Sequence, residues 1–326
     1  MNIAIVRRNG LGDFIAGTLP MYYCMKEDNI GGGNRFFLFL SKSNFPLFKY
    51  FIEDENTIVE RFHKGNKYLS MILTAIKYRK IIDVGYLTIP DYPKLTGLFL
   101  LLMGVKIRYG YINNSCIPRL TINKGIEDLE AYKGRDKHVA LFNLQLYKPQ
   151  IEKIEKRWYP KFNQSKIKDF NLEINGPFLM VELSNSKNNN QLKNEKIFKI
   201  LLDLRSHFEF TVLITAMPKD ISKSQDLIDK LNNAAIKNYF YCTDDLDKYI
   251  SYVNKADVVL VGDGGLGHIS GALGKYIVAL YAKTSVKRWR ILSDKAVILY
   301  DDKDVNNISN KMIIKELCSC FLSINK

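Results

Sequence analysis

Cysteines in the paired spacings of a disulfide framework or a zinc site are missing from this 326-residue chain. Of the five (Cys24, Cys116, Cys242, Cys318, Cys320), only the last two are near neighbours, with one residue between them. That pattern supplies neither a disulfide framework nor a zinc spacing, and a reducing, cytoplasmic setting is expected. Long apolar runs are missing too. The most apolar window, LTGLFLLLMGVKI (Leu95–Ile107), is too short to span a bilayer. It reads as a buried helix leading into a strand, with a membrane-interface segment as the alternative. Met1 leads directly into the strand-like IAIV, without the basic, apolar and cleavage regions of a secretory leader, so none is expected. Acidic residues are scarce relative to basic ones: 34 Asp and Glu stand against 48 Lys and Arg, a formal net charge of +14. An excess of that size implies an anionic partner, whether nucleic acid, a phospholipid surface, or a phosphorylated small molecule or glycolipid.

What is present is globular composition, 47% hydrophobic and 25% charged. Short β-rich runs alternate with helical ones from end to end, the layout of α/β domains with parallel sheets. NIAIV (residues 2–6), FFLFL (36–40), IIDVG (81–85) and VKIRYG (105–110) read as strands of a first series. The text from about 150 to 175 is polar, charged and punctuated by proline, as a linker would be. A second series follows: PFLMVEL (177–183), FTVLITA (210–216), NYFYC (238–242), ADVVLVG (256–262) and YIVALYA (276–282). The expected fold is therefore two doubly wound, Rossmann-like domains, 1–160 and 161–326, facing each other across a cleft at the carboxyl ends of their sheets. A C-terminal helical segment near 308–321 is expected to pack back on the first domain.

Two turns carry the chemistry. In VVLVGDGGLGHIS (Val258–Ser270) a strand runs into glycines that satisfy G-x-G-x-x-G at Gly262, Gly264 and Gly267. As a dinucleotide fingerprint the match is weak, because no acid follows until Asp294, where a ribose-binding acid should stand about twenty residues on. The acid lies inside the turn instead, at Asp263. Glycines allow close backbone approach, and amides at Gly264, Gly265 and Leu266 would open a helix whose N-terminus favours an anion. Asp263 then points at sugar hydroxyls, or caps the helix; His268 is a site residue or a packed core histidine. RRNGLGDFIAGTLP (Arg7–Pro20) repeats the theme, with Gly10 and Gly12 before Asp13. Asp13 reads equally as a helix cap or as the base that takes a proton from an acceptor hydroxyl.

These two motifs, L-G-D near the start and D-x-G-x-x-H before A-L-G and a strand, resemble the bacterial heptosyltransferases, glycosyltransferase family 9, of the GT-B fold. The resemblance implies an inverting, metal-independent transfer of heptose from ADP-L-glycero-D-manno-heptose to the inner core of lipopolysaccharide. By position it implies Asp13 as catalytic base, Asp263 as the acid holding the heptose hydroxyls, and Gly264, Gly265 and Leu266 as diphosphate donors, with His268 the motif histidine. The family's K-x-W-P stretch is altered: Asn190 stands where its lysine should be, and Lys187 or Lys193 is left to reach the donor phosphate as a flexible point charge. Ser184 and Ser186 offer hydroxyls on the same loop. Asp220 corresponds to a ribose-contacting acid. DDLD (Asp244–Asp247) reads as helix capping rather than as a metal-binding motif.

Arg61, Lys64, Lys67, Arg119, Lys133, Arg135 and Lys137 fall in polar text of the first domain. In a glycolipid transferase they would attract the phosphates and acidic sugars of a lipid A–Kdo acceptor and hold the enzyme at an anionic inner leaflet; otherwise they are a solvated basic surface. Other nucleotide-sugars or a capsular acceptor fit the same motifs. A basic nucleic-acid-binding protein is the rival on charge alone, but no helix-turn-helix, zinc finger or aromatic RNA-binding signature supports it.

Overall fold

A computed structural model of the protein describes residues 1–8, 10–62, 67–88, 94–112, 116–126, 137–170, 172 and 176–324. These residues form two compact units, Met1–Pro160 with Lys287–Trp289, and Lys161–Val286 with Arg290–Lys326.

The first unit holds β1 (Asn2–Arg7), β2 (Arg35–Leu40), β3 (Thr57–Arg61), β4 (Val84–Leu87), β5 (Ile107–Tyr111) and β6 (Lys124–Ile126). They pair in the order β3-β2-β1-β4-β5-β6, all parallel. Parallel strands are covered on both faces, which is why IAIV and FFLFL are apolar without interruption. The chain leaves β1 through α1 (Leu11–Asp13), a π-helical turn (Phe14–Thr18) and α2 (Leu19–Asp28), whose Tyr22 meets Phe36 edge-on. The opposite face, with Ala4, Val6, Phe37 and Phe39, packs on Met71 and Ala75 of α3 (Lys67–Lys77) and on Phe99 and Leu100 of α4 (Leu95–Leu102). Beside α4 lies α5 (Cys116–Thr121).

The second unit repeats this path with β7 (Phe178–Glu182), β8 (Thr211–Ala216), β9 (Asn238–Cys242), β10 (Val258–Gly262), β11 (Tyr276–Ala282) and β12 (Ala296–Asp301), ordered β12-β11-β10-β7-β8-β9. In both sheets the opening strand is central, the next two lie to one side of it and the last three to the other. The direction of winding therefore reverses between β1 and β4 and between β7 and β10, and the carboxyl ends of those pairs are where ligands bind in open α/β sheets. The core of this unit includes Ile197, Ile200 and Leu204 of the helix Asn194–Arg205 and Ile313, Leu317 and Phe321 of the helix Asn310–Ile324.

The C-terminal helix buries its apolar stripe in the core of its own unit. Two expectations are revised. The strand expected at 81–85 spans Val84–Leu87; just ahead of it the Asp83 carboxylate takes the Asn2 N–H at 2.8 Å, and the Asp83 N–H donates to Asn2 O at 2.9 Å. The helix α4, expected to be buried, is so only on one side: Phe99 and Leu100 are inside, whereas Leu98, Leu101 and Leu102 are exposed.

Candidate active site

The turn after β10 is built by close approach. A Cβ at Gly262 would overlap the Asn190 carbonyl oxygen, so only glycine lets the loop after β7 lie against this strand end. Asp263 follows, nearly buried. Its backbone N–H donates to Leu280 O at 3.0 Å, and its carbonyl accepts from Asn185 Nδ2 at 2.9 Å. Its carboxylate Oδ2 accepts from Thr284 Oγ1 at 2.6 Å, from Lys187 Nζ at 3.1 Å and, more weakly, from Asn190 Nδ2 at 3.5 Å. Asp263 is thus a hub between three segments and does not cap the following helix, Gly265–Ala272, whose N-cap is Gly264 without any side-chain cap. No acid lies in its first turn. The amides of Gly265 and Leu266, which have no intrahelical partner by position, present the positive end of the helix next to Gly264, an arrangement suited to an anion. His268, one turn in, is buried; loss of hydration pushes its imidazole down to about 4, against the upward pull of Asp263, and it is neutral at pH 7.

The loop after β7 supplies the other half of this unit's site. Ser184 Oγ donates to Asp220 Oδ2 at 2.7 Å and accepts the Met217 N–H at 2.8 Å, tying the loop to the carboxyl end of β8. The other oxygen of Asp220 takes Lys223 Nζ at 2.8 Å. Lys187 also reaches Thr284 Oγ1 at 3.1 Å, and about half of its side chain stays exposed. Ser186 and Lys193 are exposed; the Lys193 amide donates to Asn306 Oδ1 at 2.9 Å. Asn190 is buried and structural: Oδ1 takes the Ala282 N–H at 2.7 Å. The cation at this site therefore comes from Lys187, three positions earlier in the chain.

Three side chains here escaped sequence reasoning: Asn185, Thr284 and Glu182. Glu182, the last residue of β7, takes Ser184 N–H on Oε1 at 2.8 Å, and Thr215 Oγ1 and Tyr249 OH on Oε2 at 2.9 Å each. Burial pushes this carboxyl up to about 7 even though those three donors pull it down. An acid closing an otherwise apolar strand was the signal available for it.

In the first unit, Arg7 closes β1 with no exposed surface. Its guanidinium binds Asp13 Oδ2 at 2.5 Å and Thr88 O, just beyond β4, at 3.3 Å. This places Asp13 at the point where the winding of the first sheet reverses. The aspartate has helical backbone angles and makes no side-chain cap, and its carboxylate rests over Gly10, where a positive φ of 57° and the lack of a Cβ are both required. The buried arginine was not anticipated; a charged residue ending an apolar strand is again the pattern.

The basic residues do not form one patch. Arg61 closes the edge strand β3, its guanidinium over the Phe45 ring at 5.7 Å. Arg119 is exposed on α5, at the other side of the sheet, and the four strand steps from β3 to β5 amount to about 19 Å. Lys67 opens α3, and Lys137 is exposed. Lys64, Lys133 and Arg135 lie outside the described residues. Asp245 caps the helix Leu246–Lys255 by accepting from Asp247 and Lys248 amides. Among the described residues no group of three or more His, Cys, Asp and Glu is arranged to hold a metal ion, and no helix is long and apolar enough to cross a membrane.

Two parallel six-stranded sheets, each wound in the same order with helices around it, make up a GT-B fold. The chain belongs to glycosyltransferase family 9, the heptosyltransferase family, whose model matches residues 136–313. In fold it is similar to Escherichia coli ADP-heptose LPS heptosyltransferase II, with TM-score 0.77 and 15% identity over 100% of both chains. It is also similar to a family 9 glycosyl transferase from Veillonella parvula (TM-score 0.76, 14% identity, covering 99% of this chain and 97% of that one). Escherichia coli heptosyltransferase WaaC with ADP gives 0.70 at 11% identity, over 98% of this chain and 100% of that one. No curated protein matches the chain in sequence.

Proposed function

We propose that the protein is an inverting, metal-independent transferase that moves heptose from ADP-L-glycero-D-manno-heptose to the inner core of lipopolysaccharide. The observation that carries this reading is the Lys187–Asp263–Thr284 cluster beside the uncapped helix start at Gly265. A carboxylate so close to an anion site needs a purpose other than binding phosphate, and sugar hydroxyls supply one. In this reading the second unit takes the donor: Asp263 holds the heptose, the amides of Gly264, Gly265 and Leu266 with Lys187 hold the diphosphate, and Ser184 and Asp220 face the ribose. Ser186 and Lys193 lie on the same loop and its continuation, where they would contact the donor's rim. His268, neutral, supports the turn from within.

The first unit takes the acceptor. Asp13 accepts the proton of an acceptor hydroxyl, whose oxygen attacks the anomeric carbon from the face opposite ADP. The bond to the diphosphate oxygen breaks, and ADP leaves with the electron pair. Helix-end amides and Lys187 stabilise the charge that develops on it, a contribution of roughly 3 to 4 kcal/mol per well-placed donor in other enzymes. Arg61, Lys64, Lys67, Arg119 and Arg135 would meet a phosphorylated lipid A–Kdo or core acceptor during transient contact with the inner face of the inner membrane. A thermal-shift series of ADP, UDP, GDP, NADH and ADP-heptose, with and without EDTA, tests the donor. ADP and ADP-heptose should stabilise the protein selectively and irrespective of chelator, and selective response to NADH, or dependence on metal, would end this reading.

A further inference from the structure

Three helices of the first unit turn apolar side chains to the outside. On α3 and in the turn that ends it, Met71, Ala75 and Tyr78 repeat at helical spacing toward the sheet. Leu69, Ile72, Leu73 and Ile76 repeat at the same spacing on the other side and are exposed, Leu73 by 57% and Ile76 by 60%. A water-facing stripe is ordinarily polar, and this one is as apolar as the buried one. Its neighbour α4 does the same with Leu98, Leu101 and Leu102, and α5, packed beside α4, exposes Leu120 by 69%. The apolar surface is thus shared by adjacent helices, the condition under which such a patch marks an interaction site rather than scattered exposure.

The charge around it is of one sign. Residues 67–82 and 94–126 contain no Asp or Glu at all. Arg79 and Lys80 follow α3, Lys106 follows α4 and Lys124 follows α5, all exposed. An apolar face with a cationic rim matches the boundary between acyl chains and anionic headgroups. A second copy of the chain matches it poorly, since joining two such faces would set their cations against each other.

We infer that α3, α4 and α5 form a docking face for an anionic lipid bilayer, inserting leucines and isoleucines between headgroups that their flanking lysines and arginines neutralise. The inference deepens the reading of a membrane-borne acceptor and relies on it only for a reason to dock. The test is flotation of the full chain with phosphatidylcholine vesicles containing about one third phosphatidylglycerol, against phosphatidylcholine alone. The wild type should float with the anionic vesicles, less so at high salt. Leu69→Glu combined with Leu73→Glu and Leu101→Glu should lower that binding about tenfold or more, because each change places a carboxylate in the interface. The variant's stabilisation by ADP should be unaltered, which shows that it is folded. Equal flotation of variant and wild type, no flotation of either, or a wild-type dimer in solution that the variant dissociates would each overturn the proposal. Failure of the donor reading is seen separately, as a protein that floats yet ignores ADP.

Discussion

Lys187 Nζ lies 3.1 Å from Asp263 Oδ2 although 76 positions separate the two residues, and the pair joins the carboxyl ends of the adjacent strands β7 and β10. The lysine is half exposed and the aspartate nearly buried. Such a pair contributes little to stability, about 0–1 kcal/mol, because water screens the cation and the long side chain loses freedom. Its value must lie in placement. Lys187→Ala is therefore expected to melt within a few degrees of the wild type yet bind ADP roughly tenfold more weakly, the loss of one charge-assisted contact. Asp263→Ala should weaken ADP-heptose more than ADP, since the carboxylate is assigned to the sugar. Calorimetric titration with both ligands checks this, and equal losses would remove the sugar role.

Asp13→Ala is expected to do two separable things. Arg7 has no exposed surface and would lose an ionic partner at 2.5 Å. Stranding a buried cation costs on the order of 3 kcal/mol, which in a unit of this size lowers Tm by about 6–12 °C. Asp13→Asn keeps an oxygen for Arg7 and should recover much of that stability while still lacking a base. Both variants should bind ADP normally and transfer no sugar. Turnover by Asp13→Asn close to that of the wild type would leave Asp13 as only a partner for Arg7.

How far all this was legible in the sequence follows the range of the forces involved. Central strands such as IAIV and VVLVG announce themselves because burial on both faces demands unbroken apolar text. The edge strands β3, β6 and β12 do not, since TIVER, KGI and AVILYD are only partly covered; β9, also a partly covered edge, was readable from the aromatic run in NYFYC. The glycine turns were readable because a tight approach admits no other residue. Their partners were not: nothing local tells that Asn190 will lie under Gly262, that Thr284 will meet Asp263, or that Arg7 rather than Arg8 turns inward to Asp13. Likewise, nothing in the sequence told how far apart Arg61 and Arg119 lie, which strand order decides.

Gly262→Ala examines the most constrained of those approaches. The added methyl would overlap a backbone carbonyl, that of Asn190, which cannot rotate away as a side chain would. Relief requires moving the loop that carries Asn190, and with it the Asn190 bonds to Ala282 and Asp263. A destabilisation of about 1–3 kcal/mol is expected, typical of overpacking, together with weakened ADP binding. Gly264→Ala is the contrast: its backbone is extended and a Cβ there would meet Asn185 Nδ2 at 3.8 Å and Gly262 O at 4.0 Å, both ordinary contacts. That variant should keep its stability, so a comparable loss in both would refute the close-approach account.

Glu182 and His268 give the second unit a pH dependence whose sign can be worked out. The Glu182 carboxyl rises from 4.5 to about 7 on burial, with Asp220 adding to the effect. Between those values the folded protein holds more protons than the unfolded chain, so this residue's contribution to stability falls as pH rises and the cost is complete above about 7. The shift corresponds to roughly 3–4 kcal/mol. His268 moves the other way, from 6.5 down to about 4, so the unfolded chain binds the extra proton, and stability grows as pH rises through that range. In the wild type the two slopes oppose each other over the shared window, and only the Glu182 loss continues from 6.5 to about 7. Glu182→Gln keeps an oxygen for Ser184 N–H and removes the titration. Relative to the wild type, its stability should therefore climb from pH 4.5 to 6.5, and it should exceed the wild type at pH 8. Denaturant midpoints measured across that range decide the matter: parallel curves for the two proteins would show that Glu182 does not titrate in the folded state as its burial requires.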